Sequence, residues 1–475
     1  MNYKKRDDYK KLISVIQGLI ILGLETAAFG VVWYEVYDIT KELDESFAGA
    51  GNLVVIIYAV ILMFFTRLNG GYKFGHLRLM DLIFSQILSL IGANVISYFI
   101  MCLALRQLLL PGAVLLLTLI GIMFIFIYNG LMYFLEMKLF PPRQLILVYG
   151  DKGPLEMFST FRTRTDKFHI AETVHESRGL TAIMEKVEKS DGVILHRVHT
   201  DIRSEILHLC YRNDIRAYVV PYISDIILWS SGDTHLFDTP MLVTHSHSIT
   251  AVEAFFKRMM DIVVSLLMLI IFSPVMLIVA IGVKLQDGGP IIYKQDRITK
   301  DGKIFKIFKF RSMTMDSEAN GARLATKDDD RVTKLGRVIR DLHVDELPQL
   351  INVIKGDMSL VGPRPERPEI IERYKDEIPE FDYRLKVKAG LTGYAQVYGR
   401  YKTPSYNKLK LDMIYIEHYS IWLDIKLLFL TFKIIFIKDN SEGFDEKTAD
   451  EMQERMQGAM QENLEESVQG TGENN

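Results

Sequence analysis

Four apolar runs crowd the first third of this 475-residue chain, at roughly 12–34, 50–66, 80–105 and 111–137. A bilayer crossing takes about 20 apolar residues, and three of the four runs exceed that comfortably. Lysine and arginine decide the orientation of such a bundle. The amino terminus carries Lys4, Lys5, Arg6, Lys10 and Lys11, and the second loop carries Arg67, Lys73 and Arg78 without an acid. The first loop sets Glu35, Asp38, Glu42, Asp44 and Glu45 against Lys41 alone. Basic flanks inside and the acidic loop outside predict a four-helix transmembrane bundle over residues 1–140. Both its ends, and everything after Phe140, then lie in the cytoplasm. The first run is too long for a signal-peptide core and has no clear cleavage site.

The length suggests about three units, and the charge is unevenly spread among them. The formal charge is -3, yet Asp439 to Asn475 holds 11 acids and 2 bases. The chain ahead of this tail is therefore basic, which suits an anionic membrane face and anionic substrates. The tail itself, 439–475, reads as a solvated, flexible end. Only Cys102 and Cys210 occur, which excludes a disulfide framework or a structural zinc site on count alone.

Residues 141–250 read as a Rossmann-like cytoplasmic α/β unit. Leu145 to Gly150, Gly192 to Leu195 and Ala217 to Val220 are short buried strands with helical stretches between them. The first strand ends in glycine, but Gly150-Asp151-Lys152-Gly153-Pro154 lacks the glycine spacing that admits a pyrophosphate. A structural or regulatory module that binds no dinucleotide is expected.

A fifth apolar run, Ile262 to Val283, is flanked by Lys257-Arg258 and Lys284 and interrupted by Ser273-Pro274. Proline removes one backbone donor and kinks or breaks a helix. An ordinary kinked span and a helix that bends and returns to the same face both satisfy this pattern. The later segment Ile414 to Ile437 has charges spread through it, which suits a helix lying in the interface.

Between these segments lie the residues that could carry chemistry. From Tyr293 to Arg311, Arg297, Lys309, Arg311 and four further lysines interleave with apolar residues. Arg331, Lys334, Arg337 and Arg340 recur every three residues, of which Arg331 and Lys334 read as a solvated face. Arg340 lies five residues before Asp345-Glu346. Adjacent acids are common in this chain, as Asp44-Glu45 and Asp450-Glu451 show, so the setting of this pair has to distinguish it. Pro348 belongs in the first turn of a helix, which places the pair at a helix amino terminus where negative charge is favoured. Asp345 is then expected to be ionised near neutral pH and competent as a nucleophile toward phosphorus. Glu346 would face a magnesium ion, which prefers one or two carboxylates plus phosphate oxygens.

These residues, in this order, resemble the bacterial sugar transferases, the monotopic polyprenyl-phosphate phosphoglycosyl transferases. The likeness runs from about Phe256 to Ile437. It comprises Lys257-Arg258 with Asp261, Ser273-Pro274, Lys309-Phe310-Arg311-Ser312-Met313, Asp345-Glu346-Leu347-Pro348-Gln349, Gly362-Pro363-Arg364-Pro365 and Gly390-Leu391-Thr392-Gly393. One departure is Thr299, where the family usually has glycine. The four spans and the α/β unit make the chain similar to the family's long form, the undecaprenyl-phosphate galactose or glucose phosphotransferases.

The resemblance implies a mostly helical monotopic catalytic domain over 251–438, with a helix at 258–284 that re-enters at Ser273-Pro274. It implies transfer of a sugar 1-phosphate from a UDP-sugar to undecaprenyl phosphate, with release of UMP, as the first lipid-linked step of a capsule, exopolysaccharide or O-antigen pathway. Asp345 would form a phosphosugar intermediate, Glu346 would bind Mg2+ and Arg340 would assist. Lys309, Arg311, Arg364 and Arg297, with Pro363 and Pro365 shaping the turn, would bind phosphate or nucleotide. The inner membrane is the expected location, with the soluble parts on its cytoplasmic face and a homodimer formed through the α/β unit.

Three other classes compete. A nucleotide-sugar dehydratase or epimerase needs the glycine fingerprint that is missing here. A non-catalytic assembly scaffold has no use for an intact Asp345-Glu346 pair. A nucleic-acid-binding role fits worst, because the basic residues sit beside membrane segments. Glu25 and Asn94, inside predicted spans, read as packing groups, and His343 as a local hydrogen-bonding residue. The sugar is not named by the sequence; Arg400, Tyr401 and Tyr406 lie in the region proposed to select it.

Overall fold

The computed structural model describes residues 3–37, 48–104, 106–150, 161, 164–244, 249–314, 331–399 and 403–436. The acidic tail, the acidic cluster of the first loop from Asp38 to Glu45, the segment 151–154 after Gly150, and Arg400 and Tyr401 lie outside them. The described residues divide into two compact units, one ending at Val220 and the other beginning at Pro221.

The first unit opens with helices α1 (Tyr3–Val32), α2 (Ala48–Leu68), α3 (Leu79–Ala104) and α4 (Gly112–Leu139). Among the described residues five helices are long and apolar enough to cross a membrane, these four and one in the second unit. Several of their buried polar side chains pair with one another across the first four helices. The Tyr58 hydroxyl donates to Asn94, and the Asn94 amide donates to Thr118 at 2.8 Å. Asn129 donates to Gln86 at 2.7 Å. Asn94 of α3 thus links Tyr58 of α2 to Thr118 of α4. Glu25 is also buried, and its Oε1 has no hydrogen-bond partner.

A four-stranded parallel sheet follows, β1 (Arg143–Tyr149), β2 (Phe168–His175), β3 (Gly192–His196) and β4 (Arg216–Val219), in the order β2-β1-β3-β4. Helices α5 (Leu180–Glu188) and α6 (Thr200–Arg212) connect its later strands. The apolar runs mark β1, β3 and β4. The strand they do not mark is β2, an edge strand that mixes apolar and polar residues and buries only Val174. Gly150 closes β1 where a Cβ would collide with the Arg197 carbonyl in the loop after β3.

The second unit begins with α7 (Ile223–Trp229) and the hairpin β5 (Gly232–Leu236) and β6 (Thr239–Val243). Then comes α8 (Ala251–Asp287), the longest helix, capped by Thr250 and Glu253 in a reciprocal pair and closed by Gly288 at φ +69°. α8 stays helical through Pro274. That proline leaves the Ile270 carbonyl without its usual backbone donor, and the Ser273 hydroxyl donates to this same carbonyl at 2.8 Å. The serine therefore repairs the defect that the proline creates, which matters most where no water is at hand.

Next come the antiparallel pair β7 (Ile292–Ile298) and β8 (Ile304–Phe310), then α9 (Lys334–Asp341) and α10 (Gln349–Lys355). β9 (Ser359–Val361) pairs in parallel with β10 (Gly390–Thr392), and α11 (Pro368–Glu377) lies between them in sequence. Helices α12 (Tyr394–Tyr398), α13 (Ser405–Glu417) and α14 (Ile421–Phe436) close the unit. Its core gathers Leu350, Val353, Leu360, Leu409, Met413 and Leu427, all fully buried. α14 turns Leu427 into this core and leaves Trp422 and Phe432 exposed.

Candidate functional site

Asp345 and Glu346 sit on a 3-10 turn, Val344–Glu346, immediately before α10. The expectation of a helix amino terminus is refined accordingly: Pro348 is the residue just ahead of α10, and the pair precedes it. The turn is set by His343, whose φ of +55° reverses the chain as it leaves α9. A non-glycine residue in that region is uncommon and carries strain of order 1–3 kcal/mol. Gln349, Leu350 and Val353 of α10 are buried, so the turn is anchored to the core.

The two carboxylates have opposite electrostatics. Asp345 is buried, and burial raises its pKa above the ordinary 3.8, with Lys309, Arg340 and His343 pulling it back. The expected push was downward, from the helix terminus; burial reverses its sign. Glu346 is also opposed by burial, but Arg364 and Lys309 outweigh that and hold its carboxyl well below the usual range. Lys309 Nζ lies 2.7 Å from Glu346 Oε1, and Arg364 Nη2 lies 2.8 Å from the same oxygen. One carboxylate oxygen thus gathers the cation from β8 and the cation from the Gly362-Pro363-Arg364-Pro365 turn.

Each cation is placed by a dedicated support. Asn352 of α10 accepts from the Phe308 amide at 3.0 Å and donates to the Lys306 carbonyl at 2.8 Å, tying β8 to α10 just before Lys309. The Arg364 turn follows β9, which is held from α8. Asp261 accepts from the Ser359 hydroxyl at 2.8 Å and the Leu360 amide at 3.1 Å, and Lys257 donates to the Val361 carbonyl at 3.0 Å. Lys257 also forms a buried ion pair with Asp424 of α14 at 2.6 Å. Arg258 donates to the Val353 and Ile354 carbonyls, closing the end of α10. The backbones then approach so closely that side chains are excluded: a Cβ on Gly362 would meet the Lys388 carbonyl, and one on Gly393 the Gly362 carbonyl.

The remaining predicted residues divide around this centre. Arg297 lies beneath the turn, donating to the Pro365 carbonyl at 3.0 Å and to Gln295 at 2.7 Å. The Pro363 carbonyl accepts from the Gly390 amide at 2.9 Å, so both prolines shape the turn through their carbonyls as well as their rings. Arg340 faces Asp345 electrostatically from the last turn of α9. Arg311 is drawn to Asp287 at the end of α8. Ser273 and Pro274 are exposed in the middle of α8. Thr299 has extended backbone at φ -124°, and its hydroxyl accepts from the Ala389 amide at 3.1 Å. The left-handed positions of its turn fall instead on Asp301 and Gly302.

Two supports were not foreseen. Asn352 could have been found, as a polar residue among Leu350, Ile351, Val353 and Ile354 in a short helix. Arg384, buried, donates to the Arg364 carbonyl at 3.0 Å and pairs with Asp412 at 2.9 Å. Burial pushes that aspartate up to about 6 against the pull of the arginine. Nothing in the sequence pattern joins those two positions. Among the described residues no group of three or more His, Cys, Asp or Glu converges on a point that could hold an ion. The donors on offer are the Asp345 and Glu346 carboxylates, and both cation contacts of Glu346 fall on Oε1. Two carboxylates completed by phosphate oxygens and water is a set that magnesium accepts, so the residues fit that ion.

A membrane-attached transferase is the class into which these features fall once the chain is set beside known proteins. Residues 252–438 match the family described as Bacterial sugar transferase. The UDP-N-acetylgalactosamine-undecaprenyl-phosphate N-acetylgalactosaminephosphotransferase of Aeromonas hydrophila is 34% identical over 309 residues, covering 64% of this chain and 69% of that protein. The UDP-glucose:undecaprenyl-phosphate glucose-1-phosphate transferase of Escherichia coli (strain K12) is 42% identical over 52% of this chain and 56% of its own length. The undecaprenyl-phosphate galactose phosphotransferase of Salmonella typhimurium is 36% identical over 52% of this chain and 54% of its own. The chain belongs to the bacterial sugar transferase family. It spans about half the length of the last two relatives, and the three relatives differ in the sugar they are named for.

Proposed function

We propose that this protein transfers a sugar 1-phosphate from a UDP-sugar to undecaprenyl phosphate, releasing UMP, through a phosphosugar ester on Asp345. The observation that carries the reading is the arrangement around the carboxylate pair: a buried Asp345 beside a Glu346 that already gathers Lys309 and Arg364.

In the first displacement a carboxylate oxygen of Asp345 bonds to the β-phosphorus. The bond from that phosphorus to the bridging oxygen breaks, and its electron pair leaves on UMP. In the second, an oxygen of undecaprenyl phosphate bonds to the same phosphorus, and the electron pair returns to the Asp345 carboxylate. The product is a diphosphate-linked lipid sugar. Lys309 and Arg364 move from Glu346 onto phosphate oxygens, where one well-placed electrostatic contact is worth roughly 3 kcal/mol. Arg340 favours the ionised form of Asp345. Magnesium, held by Glu346 together with Asp345, would neutralise charge on the diphosphate oxygens.

The same reading sets the catalytic domain at the cytoplasmic membrane face, with α8 entering and leaving on that side. Support comes from its packing. Near its start Lys257 and Asp261 bind β9 and α14, and near its end Val279 and Val283 pack on Phe310 and Ile339. Both halves thus rest on one domain. A homodimer through the α/β domain belongs to the same proposal, and a one-chain mass by light scattering in native lipid would remove it. The pathway served is assembly of a capsule, exopolysaccharide or O-antigen.

The test is UMP release from a panel of UDP-sugars with magnesium and undecaprenyl phosphate, beside Asp345→Asn. Release with one sugar, lowered in the variant by roughly 10^4-fold or more as for other nucleophile removals, is the expected result. Equal release by the variant would end the proposal.

A further inference from the structure

The first unit contains a second site that this chemistry does not use. Where the α/β domain meets one end of the membrane bundle, an open cavity of about 630 Å³ lies between the start of α1, the loop from Tyr72 to Leu77, the end of α4 and the edges of β1, β2 and β4. Its volume falls within the range of small-molecule sites. Six of its lining residues are lysine or arginine, and two are acids, Glu136 and Asp166. Both acids are already engaged, Glu136 by Lys10 at 3.0 Å and Asp166 by Arg164 at 3.0 Å. Lys167, which lines the cavity, has a buried Nζ with no hydrogen-bond partner. A buried ammonium without an acceptor is costly, and native structures rarely keep one.

The surroundings say what would satisfy it. Burial pushes Lys167 down to about 8, with Lys10 and Arg164 adding to the effect and Glu136 and Asp166 opposing it. His76 is lowered too, by burial and then by Lys167, Lys10 and Lys73. Positive charge is therefore in excess at this spot, the condition that an anion relieves. Part of the lining is apolar, with Tyr72, Phe74, Leu82 and Met132. The lining takes in the start of one candidate span, Asp8–Val36, and the end of another, Gly112–Leu139.

We propose that this cavity binds the phosphate headgroup of an anionic amphiphile, with Lys167 as the central contact and its tail along the apolar wall. A bilayer phospholipid and a polyprenyl phosphate share this chemistry. Neither choice depends on the reaction at Asp345.

The full chain would be titrated in detergent with dioleoyl phosphatidic acid, a polyprenyl phosphate, inorganic phosphate and dioleoyl phosphatidylcholine, with binding read by native mass spectrometry. The anionic lipids should bind and the zwitterionic one should not. Lys167→Gln should weaken binding roughly tenfold, the cost of one charge-assisted hydrogen bond. Lys167→Arg should retain it, and Lys189→Gln, which removes an exposed surface lysine paired with Glu185, should leave it unchanged. The tighter of the two anionic lipids identifies the source. Unchanged binding in Lys167→Gln, equal binding of phosphatidylcholine, or binding of inorganic phosphate without either lipid would overturn the proposal.

Discussion

Removing the charge of Lys309 is expected to move the titration of Asp345, because that ammonium is the strongest influence opposing burial there. The sign follows from the direction of the shift. Asp345 is raised above the ordinary 3.8, its ionised form is the proposed nucleophile, and so the proposed activity falls as pH drops through its raised pKa. Lys309→Met takes away a downward pull, and the acid limb of kcat/KM should shift to higher pH. A limb at the wild-type position, with only the plateau lowered, would mean that Lys309 binds substrate without tuning the nucleophile. Adjacent residues on one turn thus divide the work, because one faces the protein interior and the other faces two cations. The sequence made the pair conspicuous and supplied Lys309 and Arg364. It could not show that both cations converge on a single oxygen of Glu346, since that depends on where β8 and the turn after β9 meet.

At the scale of elements, α8 sets the site as much as it attaches the domain. Lys257, Arg258 and Asp261 occupy one stretch of it and reach β9, α10 and α14. Lys257→Met would leave Asp424 buried without its counter-charge, at a cost of about 3–5 kcal/mol. The combined change Lys257→Met with Asp424→Leu should recover most of this, as read by denaturant unfolding of the purified chain; equal loss in both would show that the ion pair is not the source. The motif order made these residues visible as part of a resemblance, but their work as struts emerges only from contacts about 100 or more residues apart in sequence. For the same reason β2 escaped the pattern of apolar runs. An edge strand with one neighbour needs no continuous apolar stretch, and its identity comes from pairing with β1.

For the whole molecule, the hydropathy pattern placed the five long helices, because a segment suited to lipid is marked by its length and apolar composition alone. Orientation rests on the lysines and arginines of the loops and is open to direct measurement. In a Cys102→Ser, Cys210→Ser background, Ser46→Cys should react with a membrane-impermeant maleimide in intact cells. Arg78→Cys, Asp233→Cys and Asp301→Cys should react only after lysis. Labelling of Asp301→Cys from outside would mean that α8 crosses, and the re-entrant reading would fall.

The grip of Glu346 on two cations has a thermodynamic corollary. In the proposed reaction Glu346 competes with the substrate phosphates for these two cations. Any anion that enters must first evict an internal rival, and the affinity it displays is only the surplus over that tether. Abundant weak phosphates gain little from such an exchange. A ligand that reaches both cations at once, and brings further contacts of its own, gains the most. In the proposed reaction Glu346 would thus act as a threshold, set within the protein itself, that separates passing anions from a bound substrate.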